Sequence, residues 1–374
     1  MSLTQQTIAP DADPKMLSAL AALTDRLFTI ASSNYMATAF HVSEKIGGLA
    51  LAAGQDALKH LRKVRAAHPA MILAVESRAH ETYATAEVPF IMHDSDGLFG
   101  DPLTDLLDGQ LDAGASFAIL PAGYVAAGDT DTLRAIADRS NAVERDDVAL
   151  LLVLDPQFLE NDLLTLNAVI NSIRHPVLVA FGAKSNPLSS KKKRAGYREL
   201  FAKTRRAFPW RTDIAGIDAM VFGARGAGVG MLPSQRRANL PDTKGFSPDK
   251  SDLSPNMLIR NLLRYIKSSH LRRLFASTTP PTCPCGACKG RAIDRLSASD
   301  ADRLEGHLHD MLEMQSLHAD LLAAEDKQAW WDARLALAVG DAEALGAKVG
   351  QKVAVPDYVT EWQKRPAKEP APAC

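Results

Sequence analysis

The chain has 374 residues, with 43 Lys and Arg against 44 Asp and Glu and a formal net charge of −1. So small a charge gives no global field for nucleic acid or a membrane surface, and any such role must rest on local patches. At 46% hydrophobic and 23% charged residues, the composition is that of a globular protein long enough for one large domain or two ordinary ones. No apolar run approaches the roughly 18 residues of a membrane span. The polar start, residues 1–14, holds no basic segment followed by an apolar run, so a cytoplasmic location without a leader is expected.

In chain order, residues 1–15 read as a loose tail. Segments 16–32 and 54–67 show the Leu and Ala spacing of helices. The rhythm then changes to short apolar runs at 70–75, 88–92, 117–120, 148–154, 176–181, 208–211 and 227–231. Helical candidates lie between them at 102–113, 130–139, 158–172, 191–207 and 214–224. Buried strands alternating with helices imply a parallel sheet covered by helices. Seven or eight such repeats point to a (β/α)8 barrel of the TIM type, with an open doubly wound sheet as the alternative. The glycine-rich segment 223–230 matches no nucleotide fingerprint and reads as close helix–strand packing.

After Leu232 the pattern breaks. Residues 238–256 read as a loop, 256–276 as a basic amphipathic helix, and 297–323 and 325–346 as two further helices. The expected organisation is an N-terminal tail and helices (1–69), a barrel core (70–237), a basic helix with a zinc-binding helical subdomain (238–350), and a disordered tail (351–374).

Three groups of residues could carry chemistry. Cys283, Cys285 and Cys288 fall within six residues, and the remaining cysteine is the last residue, Cys374. That is no disulfide framework, whereas three thiols in a Pro- and Gly-containing turn can wrap one tetrahedral zinc ion. His307, His309 and His318 are candidates for the fourth ligand. Cys374, on its tail, is a lesser one. Second, four acids follow apolar runs: Glu76, Asp94, Asp155 and Asp213. Convergent carboxylates at the C-terminal ends of barrel strands suit acid–base work, attack on a glycosidic carbon, or hydrogen bonding to a purine. Capping of the next helix is the bland alternative for each. Third, Lys191, Lys192, Lys193 and Arg194 open a basic segment continuing to Arg211, and a second basic cluster includes Arg236, Arg264, Lys267, Arg272 and Arg273. These suit phosphate contacts, or merely form solvated helix faces.

The Cys-x-Cys-x-x-Cys cluster followed by a His-bearing helix resembles the tRNA-guanine transglycosylase superfamily. Asp94-Ser-Asp-Gly97 is similar to that family's Asp-Ser-Gly-Gly loop, Asp155 to its base-binding Asp, and Leu232-Pro-Ser-Gln-Arg236 to its Leu-Pro-Thr-Arg. The resemblance, over about 90–325, implies a zinc-bearing (β/α)8 barrel exchanging guanine for a 7-deazaguanine base in tRNA or DNA. It implies catalysis by Asp94, base or substrate contacts by Asp155, Ser234 and Arg236, His318 as the histidine ligand, and dimerisation through the zinc region. The family's nucleophile position falls on Val229, so Asp213 is the candidate replacement, and Glu76 joins the substrate-binding set. The expectation is a divergent transglycosylase-like protein acting on nucleic acid. Its alternatives are a non-catalytic zinc-containing subunit, with a homodimer or partner subunit implied, and a barrel enzyme of another class such as a lyase or hydrolase.

Overall fold

The computed structural model describes residues 17–32, 41–52, 54, 56–92, 101–241 and 251–363. Apolar runs too short for helices form nine strands here: β1 (Leu27–Ala31), β2 (Gly47–Leu51), β3 (Leu73–Val75), β4 (Ala118–Leu120), β5 (Tyr124–Val125), β6 (Val148–Leu154), β7 (Val177–Phe181), β8 (Ala207–Pro209) and β9 (Ala227–Gly230). All their residues are buried, as in parallel strands covered on both faces. Every pairing among them is parallel. The orders are β3-β2-β1-β9 in one sheet and β4-β6-β7-β8 in the other, with β5 alongside β6. The sheets meet at both edges. Ser116 N donates to the Leu73 carbonyl at 2.7 Å beside β3 and β4, and Thr212 N donates to the Gly228 carbonyl at 3.1 Å beside β8 and β9.

Strand side chains alternate between two apolar clusters, as the period of two dictates. Phe28, Ile72, Phe117, Leu151, Leu178 and Trp210, drawn from both sheets, share one cluster. Their neighbours Leu27, Ala118, Leu152 and Val179 belong to a second, packed with the helices. Trp210 fills the first, 5.3 Å from the Phe28 ring between centroids. A Cβ on Gly228 would come within 2.3 Å of the Trp210 ring, so glycine is required there. This close packing is what the glycine-rich segment suggested.

The helices are α1 (Ala19–Leu23), α2 (Ala57–Ala67), α3 (Pro102–Asp112), α4 (Thr130–Asn141), α5 (Phe158–Asn161), α6 (Leu163–Ser172), α7 (Lys191–Lys203) and α8 (Ile214–Val221). Beyond them an antiparallel hairpin, β10 (Asn256–Ile259) and β11 (Arg264–Lys267), precedes α9 (Ser268–Leu274), α10 (Asp300–Ala323), α11 (Lys327–Val349) and α12 (Asp357–Gln363). Among the described residues no helix is long and apolar enough to cross a membrane.

Several expectations change. Segment 16–32 is not one helix, because Asp25 at φ 56 breaks it and the contiguous apolar run Leu27–Ala31 pairs as a strand. The stretch 1–69, expected to hold a tail and helices, thus supplies β1 and β2. Segment 88–92 makes only an isolated bridge, Phe90 with Ala122. Segment 256–276 is a hairpin and a short helix: Leu263, at φ 48, turns the chain, and the flanking residues pair as antiparallel strands. Within 351–374, α12 buries Val359 and Trp362 in the core, and residues 364–374, Cys374 included, lie outside the described residues.

Candidate metal centre and the strand-end residues

Pro280 to Arg291 forms a tight turn whose Lys289 and Gly290 adopt positive φ, bringing Cys283, Cys285 and Cys288 together. The fourth group comes from α10, capped at its start by the Ser299 side chain. It is His309. Its Nδ1 lies 3.6 Å from Cys283 Sγ and 3.4 Å from both Cys285 Sγ and Cys288 Sγ. Zn–S and Zn–N bonds at the tetrahedral angle would separate S and N by about 3.6 Å. The four ligand atoms lie within 4.8 Å of one another and can hold a metal ion. His309 Nε2 is 3.0 Å from the Leu258 carbonyl oxygen on β10, which fixes the ring and leaves Nδ1 to the ion.

The resemblance pointed instead to His318, and the structure corrects this. Nine residues along an α-helix is two and a half turns and about 13.5 Å, so His318 faces the opposite side of α10 from His309. It is fully buried with neither ring nitrogen partnered, and burial first, then the Lys327 charge, lowers its pKa to about 4. His307 is also off the cluster, its pKa lowered to about 4 chiefly by burial.

The next residue, Asp310, ties this region to the sheets. It accepts from Leu258 N at 2.6 Å and from Arg236 at 2.9 Å. Arg236 also donates to the carbonyls of Gly230 and Met231 and lies 3.6 Å over the Tyr265 ring. It therefore acts in this structure as a latch between β9 and the metal-bearing region. Ser234 sits in the short turn Pro233–Gln235 just before it.

Among the described residues, three of the four strand-end acids are each held by a neighbour. Glu76, buried after β3, accepts from Trp210 Nε1 at 2.6 Å and from Arg211 at 2.5 Å. Asp155 accepts from Gln157 N at 2.8 Å and from the Tyr124 hydroxyl at 3.4 Å. Asp213 caps α8 through Ala215 N at 3.0 Å, and burial raises its pKa, opposed by the Ala215 hydrogen bond and by Arg236. Asp94 lies outside the described residues. Asp213 does share a narrow cleft with Asn186, Tyr197, Trp210, Arg211 and Arg236, beyond the C-terminal ends of β7 and β8. Tyr197 and Asn186 carried no motif that sequence reading could have found.

The basic residues divide. Arg194 is buried, with Nε 2.6 Å from Glu361, and offers no charge to the surface. Arg264 donates to the Ala354 carbonyl at 2.6 Å, and Lys267 is engaged by Asp252. Lys191 and Lys192 are exposed and Lys193 half-buried at the start of α7. Lys203, Arg205 and Arg206 lie at its far end, about 20 Å away for a helix of 13 residues, so the segment makes no single basic face. Arg272 and Arg273 are exposed on α9.

No family model and no curated protein matches the chain. A solved chain from Aquifex aeolicus VF5, described as "Structural study of Project ID", is similar over 57% of this chain and 87% of its own, at 12% identity and a TM-score of 0.31. That likeness is too slight to carry an argument.

Proposed function

We propose that the two sheets close into one (β/α)8 barrel of the TIM type, that the Cys3His cluster holds a structural zinc ion, and that the chain is a divergent transglycosylase-like protein taking a guanine or 7-deazaguanine base of DNA or tRNA into the barrel mouth. Contact at both sheet edges and an inner cluster fed by both sheets support closure. Three thiols and one imidazole leave no open position on a tetrahedral ion, which supports a structural rather than a catalytic metal. When bound, zinc would cross-link the cysteine turn to α10 and supply folding energy.

The observation that carries the base-handling reading is the cleft beside Asp213. It offers aromatic walls, Tyr197 and Trp210, with guanidinium and carboxyl groups at the edges. It opens at the strand ends, where barrel sites lie. Burial favours the protonated form of Asp213. This fits a proton donor to a departing base better than the nucleophile's part suggested by the sequence. Lys191 and Lys192 at the start of α7 add positive charge to a helix N-terminus, which already attracts phosphate.

The test incubates the metal-loaded protein with labelled guanine or 7-deazaguanine and with tRNA or duplex DNA, and counts label in the polymer. Incorporation, abolished in Asp213→Asn, is the expected result. No incorporation by folded, metal-loaded protein would sink base exchange. The second reading, a non-catalytic subunit, is favoured by the commitment of Glu76 and Asp155 to fold contacts. It predicts base or nucleic-acid binding without incorporation unless a copurifying partner is supplied.

A further inference from the structure

Arg236 lines the cleft beside Asp213, and it also lines a gap between β1, β9 and α10, together with Thr29, Tyr265, Asp310 and Met311. Its guanidinium is fixed from several directions. Nε donates to the Gly230 carbonyl and Nη2 to the Met231 carbonyl, each at 3.1 Å. Nη2 also reaches Asp310 at 2.9 Å, and the Tyr265 ring lies against the group. The two carbonyls belong to the end of β9. Asp310 belongs to α10, where it is the residue after the metal ligand His309.

Leu258 on β10 ties these two neighbours together. Its N–H donates to Asp310 Oδ1 at 2.6 Å, and its carbonyl accepts from His309 Nε2 at 3.0 Å. The second carboxylate oxygen of Asp310, Oδ2, is the one that meets Arg236. His309 and Asp310 are consecutive on one helix, so a shift of α10 that moves one moves the other. A chain of direct contacts thus runs from the Nδ1 side of His309, through Leu258 and Asp310, to Arg236 and the cleft. Without an ion, the thiols and imidazole are joined only by weak hydrogen bonds to sulfur, and α10 loses its strongest tie to the cysteine turn.

We propose that Asp310 is a positioning residue for the cleft, and that ligation of His309 sets how firmly Asp310 holds Arg236 there. The metal site then governs the cleft as well as the fold around the cysteine turn. Burial raises the Asp213 pKa, while the Ala215 hydrogen bond and the Arg236 charge oppose it. A displaced Arg236 therefore changes both the charge and the shape that a ligand beside Asp213 meets. The positioning is independent of what that ligand is; only the binding measurement below rests on the base-site reading above.

The experiment uses full-length protein carrying nitrogen-15 arginine, either loaded with zinc or stripped by a chelator. The Arg236 Nε–H signal is identified by its loss in Arg236→Lys. It is expected to exchange with solvent roughly tenfold or more faster in stripped wild type, and in zinc-loaded Asp310→Ala, than in zinc-loaded wild type. Coupling between sites is reciprocal, so zinc-loaded Arg236→Met should yield its ion to a competing chelator roughly tenfold more readily than wild type. Ile136→Ala, which removes a buried side chain from α4, controls for general destabilisation and should retain zinc as wild type does. This retention arm needs no stripped protein, so unfolding on chelation does not block it. An Arg236 signal indifferent to zinc and to Asp310, zinc retention unchanged in Arg236→Met, or equal zinc loss in Ile136→Ala overturns the proposal. Equilibrium dialysis of guanine separates this reading from the base site. Binding that weakens in Asp310→Ala supports both. No guanine binding by zinc-loaded wild type whose Arg236 signal still responds to zinc sinks the base site and leaves the positioning in place.

Discussion

The strand-built region and the metal-bearing region treat their reactive groups in opposite ways. At the strand ends each described acid turns to a neighbour of its own: Glu76 to Trp210 and Arg211, Asp155 to Gln157 N, Asp213 to Ala215 N. In the metal-bearing region four ligand atoms turn to one another, while the far side of His309 is braced by the Leu258 carbonyl. Acids that merely share one end of a sheet have ordinary structural uses. Ligand atoms crowded about a single point and braced from behind are placed to hold an ion. Convergence, not residue type, separates a site from a set of caps.

The sharpest way to break that contrast is to take the ion away. Structural zinc contributes an apparent 10–16 kcal/mol or so in small zinc-binding peptides. Chelation is expected to unfold the cysteine turn and loosen α9 and α10, seen as lost amide-exchange protection there while β6 and β7 stay protected. His309→Ala should purify without metal and His318→Ala with one ion per chain, by atomic emission. The reverse pattern would return the ligand role to His318.

The next effect tests the joint between the regions. Arg236 and Asp310 form a buried pair 2.9 Å apart. Removing one partner of such a pair costs about 3–5 kcal/mol, because the other charge is left buried and uncompensated. Arg236→Met is thus expected to lower the thermal midpoint far more than Arg145→Met, which loses partly exposed pairs with Asp108 and Asp147 of a kind worth about 0–1 kcal/mol. Equal shifts would mean that Arg236 is free for a substrate, as its place in the Leu-Pro-Ser-Gln-Arg segment first suggested.

What the sequence made legible follows the range of the interactions involved. The three cysteines were readable because their ligation is local: six residues determine whether their thiols can meet. The fourth ligand was not, because His307, His309 and His318 share one helix and only its rotation against the turn selects among them. Strands β6 and β7 were plain as apolar runs between helices. Strand β1 was hidden because Leu27–Ala31 continues the Leu- and Ala-rich segment before it. Strand β2 was hidden because its Gly47 and Gly48 weaken a strand signal; Gly48 is needed where a Cβ would meet the Phe28 ring at 2.5 Å. At the mouth, Asp155 and Asp213 could be placed at strand ends from sequence, but their hydrogen bonds depend on turns that no spacing encodes.

His318 gives the smallest effect and a clear sign. With neither nitrogen partnered, it is easier to bury neutral than charged, and its pKa in the fold is about 4 against about 6.5 in an unfolded chain. Between those values the unfolded state holds a proton that the folded state refuses. The contribution is therefore fully present above pH ~6.5 and is lost as pH falls toward ~4, by roughly 3 kcal/mol in all. His307, also lowered to about 4, acts in the same direction, and acid further weakens the protein by protonating the metal's thiolates. The useful quantity is thus the difference between wild type and His318→Leu at equal metal content. Urea midpoints measured from pH 7.5 to 5 should fall less steeply in the variant, with His307 and the metal accounting for the slope that remains. Identical slopes would mean that His318 takes up its proton inside the fold as readily as outside, which requires a partner for its ring and would put this side of α10 in contact with a polar group after all.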